Sequence, residues 1–168
     1  GVAKDNYKRD GTTRSFSAAF AEVEVDIETG KYTVTEFLSV ADVGIVIHPT
    51  ALGGQVLGRS NLGIAHAIGH RWVYDQRYGV GLARRFYNNS PPTILDIPLN
   101  SAWDSVGLPD PETPVGARGI GEPPVAAACT SVLNAISDAL GDQVFVRSPV
   151  LLDHIVKALD TKRPGQFP

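Results

Sequence analysis

The sequence predicts an α+β fold: a two-layer arrangement with a mixed sheet that includes a β-hairpin, one long glycine-rich helix and two C-terminal helices. Three stretches carry this reading. A period-two run begins at Phe16 and closes on the turn Glu28-Thr29-Gly30-Lys31. From Leu52 to about Tyr74 the apolar residues Leu52, Val56, Leu57, Ile64, Ala65, Ile68 and Trp72 keep close to helical spacing. Val125, Ala128, Cys129, Val132, Leu133, Ile136 and Leu140 do the same ahead of Gly141, a helix-ending residue.

Taken in order, residues 1–14 are polar and rich in turn formers and read as an N-terminal segment. In the first strand Val23, Val25 and Ile27 share one face, and Glu22, Glu24 and Asp26 the other. Tyr32, Val34, Leu38 and Val40 carry its hairpin partner. Ile45–Ile47 is short and β-branched and reads as strand until His48-Pro49 breaks it. The long helix then contains Gly53, Gly54, Gly58, Gly63 and Gly69, each costing about 0.8–1.0 kcal/mol relative to Ala in a helix interior. Either another group approaches its backbone closely, or the helix breaks near Asn61-Leu62-Gly63. Asp75–Gly81 reads as a turn and Ile94–Pro98 as a short strand, and residues 99–115 read as a Pro- and Asp-rich crossing. A strand is expected over Val144–Arg147, a last helix over Val150–Leu159, and a loose tail over 161–168.

The chain has 168 residues, 43% of them hydrophobic and 20% charged, with a net charge of −3. That length suits one domain with a core of its own or two small packed lobes. A weakly acidic balance without basic runs argues against a nucleic-acid partner. No apolar run reaches the roughly 20 residues of a membrane span. The single cysteine, Cys129, excludes an internal disulfide and every multi-cysteine metal or iron–sulfur site, and it falls on an apolar helix face. The chain contains no Met. Removal of an initiator before Gly1 and a piece of a longer polypeptide both fit that.

The stretch Gly116-Ala117-Arg118-Gly119-Ile120-Gly121-Glu122-Pro123-Pro124 concentrates the candidate chemistry. Its glycines allow positive φ or close contact with another group, and the two prolines fix φ near helical values. Glu122 therefore sits where a loop becomes a helix. A carboxylate there is most often a partner of the helix dipole. Rigidity together with access is also what a general base requires. Gln55, beside Gly54, is either a solvent-facing helical glutamine or a donor and acceptor for a polar cofactor edge. His66 and His70 stand at i and i+4 as zinc-binding pairs do, but Ala67 follows His66, and no third ligand is placed. A metal site is not expected.

In order along the chain, RSFSAAFAEVEVDIETGKYTV, ADVGIVIHP, GGQVLGRSNLGIAHAIG and GARGIGEPP resemble the C-terminal molybdenum-cofactor (molybdopterin)-binding domain of the xanthine oxidase and aldehyde oxidoreductase family. The similarity covers about residues 14–147. The resemblance implies a domain over residues 15–160 that forms part of a molybdenum hydroxylase large subunit. It implies Glu122 as the base that activates the hydroxyl nucleophile in oxidative hydroxylation of an aldehyde or N-heterocycle. It also implies that Gln55, after Gly54, hydrogen-bonds the molybdopterin while the backbone of Gly119, Ile120 and Gly121 lines it. Expected partners are the remainder of the large subunit, an iron–sulfur subunit or domain and an FAD subunit. Iron–sulfur clusters and FAD belong to those partners, and the chain alone is expected to be inactive.

Three positions depart from the family pattern. The family usually has Asn before the proline where this chain has His48, an acidic residue at the place of His70 or close to it, and commonly an aromatic at about the place of Asn89. Pro123-Pro124 favours the hydroxylase branches over the carbon monoxide dehydrogenase branch. A rival reading is a non-catalytic structural or assembly module that keeps the fold; another is a metal hydrolase using His66 and His70.

Overall fold

A computed structural model describes residues 1, 10–141 and 143–161. The expectations for residues 2–9 of the N-terminal segment and for 162–168 of the tail lie outside the described residues. The elements are β1 (Phe16–Val25), β2 (Tyr32–Asp42), α1 (Pro49–Ile68), a one-turn helix α2 (Phe86–Asn89), a 3-10 turn (Ile94–Asp96), β3 (Asn100–Val106), α3 (Pro123–Ala139) and α4 (Leu152–Thr161). The sheet order is β1-β2-β3, antiparallel in the first pair and parallel in the second. The α+β class with a mixed sheet is thus as expected.

The hairpin closes as its turn residues dictate. Gly30 takes φ +73°, and a β-carbon there would run into the carbonyl of Leu152 at the start of α4. Asp26 holds the turn by accepting from Glu28 N (2.9 Å) and Thr29 Oγ1 (2.7 Å). Glu22 pairs with Glu36 and Val23 with Val34, so Thr35 is an extra residue in β2. This bulge corrects the face assignment of β2. Tyr32 and Val34 lie on the core face before it, but beyond it Phe37, Ser39 and Ala41 point inward, while Leu38 and Val40 lie on the outer face. Ile27 falls past the end of β1 and is exposed.

His48 starts α1 by accepting from Ala51 N at 3.1 Å on its Nδ1. The helix runs unbroken through Asn61-Leu62-Gly63 and ends at Gly69, several residues before Tyr74. Trp72, assigned to its apolar stripe, is instead 67% exposed on the following loop.

Three strand assignments are corrected. Gly44 at φ +63° turns the chain off the sheet, so Ile45–Ile47 is not a strand. Thr93 and Asp96 form a capping box that winds Ile94–Asp96 into a 3-10 turn. Among the described residues Val144–Arg147 pairs with no strand; of its side chains Phe145 enters the core and Val146 is exposed. The third strand, β3, lies within the stretch read as a crossing.

α1 and α3 cover one face of the sheet. The main core joins Val34 and Phe37 to Ile64, Val132, Ile136, Val150 and Ile155, with Cys129 packed against its edge. Each fully buried Ile or Val contributes about 1.5–3 kcal/mol. A smaller cluster of Ala41, Val43, Leu52 and Val56, flanked by Trp103 and Ile120, sits at the other end. There Asp42 pairs with Val106, so the parallel strands β2 and β3 finish side by side. The segments leaving them, 43–48 and 107–122, carry the candidate site. Crevices at the carboxyl ends of parallel strands are the usual ligand sites of open α/β sheets.

Candidate active site

The loop from Gly107 to Glu122 is fastened to the end of β2 by its backbone. Gly116 takes φ +70°, and its carbonyl accepts from Ile45 N and Asp110 N, each at 2.9 Å. Gly44 and Ala117 form a bridge, and Arg118 N donates to Val43 O at 2.7 Å. Side chains then lock the same point. Arg118 Nε donates to Asp110 Oδ2 at 2.6 Å, and Arg118 Nη1 donates to Asp42 Oδ2. Asp110 is only 5% exposed. Asp110 and then Asp42 raise the guanidinium's pKa above its ordinary value, against the opposing effect of burial.

From Arg118 the backbone continues with Gly119, whose carbonyl accepts from Ser15 Oγ. Ile120 anchors on the smaller cluster. Glu122 then occupies the N-cap position of α3 at φ −124°, ψ −27°, followed by the two prolines. Its side chain makes no capping hydrogen bond and is exposed. The helix dipole still favours a charge there, but the carboxylate oxygens are not engaged in satisfying the helix end.

A cleft of about 200 Å³ opens beside this loop, with Val43, Ile45, His48, Gln55, Arg118 and Ile120 on its walls. The structure thus brings Gln55 and Ile120 together from distant segments. Glu122 is not on that wall. It borders a separate shallow groove with Ser15, Phe16, Pro123 and Thr130.

The glycines divide into two kinds. A β-carbon on Gly53 would meet the Trp103 ring at 2.6 Å, and one on Gly63 would meet Ala128 Cβ at 2.7 Å. Those two are needed by the fold itself. Around Gly54, Gly58, Gly119 and Gly121 a β-carbon would find open space, and none of the four takes positive φ. Of Gly116, Gly119 and Gly121, Gly116 uses left-handed geometry and the other two do not, which leaves close contact with another group as their expected use. Bare, open backbone on α1 and on the loop suits close approach by a flat group from outside.

The rings of His66 and His70 lie 4.8 Å apart, and His66 Nδ1 is 2.6 Å from Leu62 O. Burial, with His66 nearby, lowers the pKa of His70. Among the described residues no group of three His, Cys, Asp or Glu converges as a metal site would require. Sequence reasoning missed Arg118, Asp110 and Asp42 as a unit. The available signal was an Arg inside a glycine-rich loop, with an Asp between two prolines upstream of it.

The fold and this loop-and-helix surface define a class. The family model described as a molybdopterin cofactor-binding domain matches residues 2–98, and the chain belongs to that family. Among individual proteins it is 30% identical over 140 residues to the putative xanthine dehydrogenase molybdenum-binding subunit of Escherichia coli, covering 83% of this chain and 18% of that one. It is 32% identical over 139 residues to the carbon monoxide dehydrogenase large chain of Afipia carboxidovorans, covering 82% and 17%. The solved structure of quinoline 2-oxidoreductase from Pseudomonas putida superposes with a TM-score of 0.76 at 29% identity, over 84% of this chain and 18% of that one. Gln55 and Gly54 lie within the family match, and Glu122 lies beyond it. A span of 83% of this chain includes Gln55 and Glu122 wherever it begins. The chain spans about a fifth of the length of these relatives. Their identities do not separate the xanthine dehydrogenase and carbon monoxide dehydrogenase branches.

Proposed function

We propose that residues 15–160 form the part of a molybdenum hydroxylase large subunit that supplies the catalytic glutamate, Glu122, and one wall of the molybdopterin site. The observation that carries this reading is Glu122 at the entrance of α3, exposed, with no capping hydrogen bond, directly after a loop whose glycines face open space. The residues fit such a cofactor. Gln55 offers an amide that can donate and accept, and Gly54, Gly58, Gly119 and Gly121 offer backbone that a pterin-sized plane can approach. Bound molybdopterin supplies the redox centre that takes up the electrons of substrate oxidation. Gln55 would hydrogen-bond its polar edge, and Gly119, Ile120 and Gly121 would line it. Glu122 would accept, on a carboxylate oxygen, the proton lost by the oxygen nucleophile.

The substrates of this reading are aldehydes or N-heterocycles. Electrons leave through iron–sulfur and FAD groups held by partner domains or subunits, because one cysteine cannot hold a cluster. The remainder of the large subunit completes the site, so this chain is inactive alone. Its exposed apolar side chains, among them Phe86, Tyr87, Leu95 and Leu99, are consistent with surfaces that partner regions cover. Among the described residues no helix is long and apolar enough to cross a membrane.

Glu122→Gln in the complete enzyme tests the reading. Hydroxylation should fall at least about 10²–10⁴-fold, the contribution of a positioned general base, with molybdenum content nearly unchanged. Full activity in that variant would sink the proposal. Failure of the wild-type chain to take up molybdopterin with its partners present would favour an assembly module instead.

A further inference from the structure

Arg118 has two roles open to it beside the cleft, and its geometry selects one. It lines the cleft and could meet a ligand directly. Its guanidinium is instead turned onto Asp110 and Asp42, and its amide onto Val43 O. These contacts hold the residue that immediately precedes Gly119. On the far side the chain is held again, by Pro123-Pro124 and the first turn of α3, where Val125 N donates to Glu122 O at 3.0 Å. Only Gly119, Ile120, Gly121 and Glu122 span these two fixed points. Gly119 and Gly121 lack side chains, and between the fixed points the span is held only lightly, by Ser15 Oγ on the Gly119 carbonyl and by Ile120 on the smaller cluster. The direction of the span is therefore set in large part at its ends.

We propose that Arg118, bridging Asp110 of the incoming loop and Asp42 at the end of β2, is a positioning residue that sets the course of the Gly119–Gly121 backbone and, through it, the place of Glu122 at the entrance of α3. The inference rests on the functional reading above for its consequence, but the bridge itself stands on contacts within this chain. Asp110 is buried, so removing the cation leaves it without that charge partner, and the loop relaxes toward water. The segments joined are 76 residues apart in sequence, so no local turn can replace the bridge. Arginine suits the position because its planar fork can hold two carboxylates at once, whereas a lysine ammonium is a single point charge.

The test combines two measurements on Arg118→Gln and Arg118→Lys. The first is amide hydrogen exchange in the 168-residue chain. Selective loss of protection at the amides of Ile45, Asp110 and Arg118, with the α1 and α3 amides unchanged, is the expected result. Uniform loosening throughout, or none, would overturn the positioning role in favour of general stability. The second is steady-state kinetics of the complete enzyme. There kcat should fall about 10–100-fold in Arg118→Gln, with KM and molybdenum content retained and partial recovery in Arg118→Lys. Retained kcat with a loosened loop would overturn the link to Glu122. Should Arg118→Gln not fold, Asp42→Asn removes the more exposed of the two carboxylates and is read the same way. Full activity of Glu122→Gln alongside selective loosening would reject the catalytic reading and leave the bridge intact.

Discussion

Gly63 of α1 and Ala128 of α3 mark a close approach of the two helices: a β-carbon on Gly63 would lie 2.7 Å from that of Ala128 and would run onto the carbonyl oxygen of Val125. The helices meet here almost backbone to backbone, and the position has no room for a methyl group. Gly63→Ala should therefore destabilise the chain by about 1–3 kcal/mol, as overpacking of a dense interior does, despite the better helix propensity of alanine. Urea denaturation of the purified chain measures it; an unchanged midpoint would show that the helices can separate freely.

The open glycines of the same helix should behave in the opposite way. Gly58→Ala meets nothing within 4 Å and should stabilise the isolated chain by up to about 0.8–1.0 kcal/mol, and Gly54→Ala similarly. In the complete enzyme both should lower molybdenum content, because the added methyl group occupies the surface proposed for the pterin. Stabilisation accompanied by full cofactor loading would remove α1 from that surface.

Tyr32 ties the hairpin to the helices: its hydroxyl lies 3.0 Å from Ala67 O and 3.1 Å from Val150 O. Tyr32→Phe should cost about 1–3 kcal/mol, since it removes the donor and leaves part-buried carbonyls short of a partner. Burial raises the phenol's pKa in the folded chain. Its contribution is therefore fully present below the unfolded value of about 10, and is lost as pH rises above it toward the folded value. Cys129, also raised by burial, gives a slope of the same sign that starts near its unfolded value of about 8.5. Unfolding free energies between pH 8 and 11 should show the decline above pH 10 becoming shallower in Tyr32→Phe.

The legible parts of the sequence were those whose pattern is local. The Thr29-Gly30 turn, the apolar spacing of α3 and the Gly141 stop need only neighbours to be understood, and each appears where its residues indicate. The face of β2 beyond Thr35 was not legible, because a bulge is decided by pairing with β1 and leaves little trace in one strand. β3 was hidden for a related reason. Asn100–Val106 alternates, but with Ser, Asp and Asn in place of a strong apolar series, and its partner is a distant strand. Ile94–Pro98 misled in the other direction, since Ile94 and Leu95 are exposed and Thr93 with Asp96 settles the local winding.

For the candidate site, Glu122 at a helix entrance could be read directly, but whether it capped that helix could not. That Gln55 and Ile120 share a cleft depends on α1 and the loop meeting at the end of β2. The pairing of Arg118 with Asp42 and Asp110 was invisible, because no spacing rule connects positions so far apart.

The side-by-side finish of β2 and β3 also sets an order of assembly. The hairpin forms among neighbours, whereas Glu36 must find Asn100, Asp42 must find Arg118 and Ser15 must find Gly119, the last across 104 residues. Closing such long loops costs entropy before any contact offsets it. Pulse-labelled refolding should protect the Gly30 amide, bonded to Asp26 O within the turn, before the Arg118 amide, bonded to Val43 O. Simultaneous protection would contradict this order. The surface proposed for chemistry is then the last portion of the molecule to acquire its form, and a chain halted part-way through folding would carry a finished hairpin and no site.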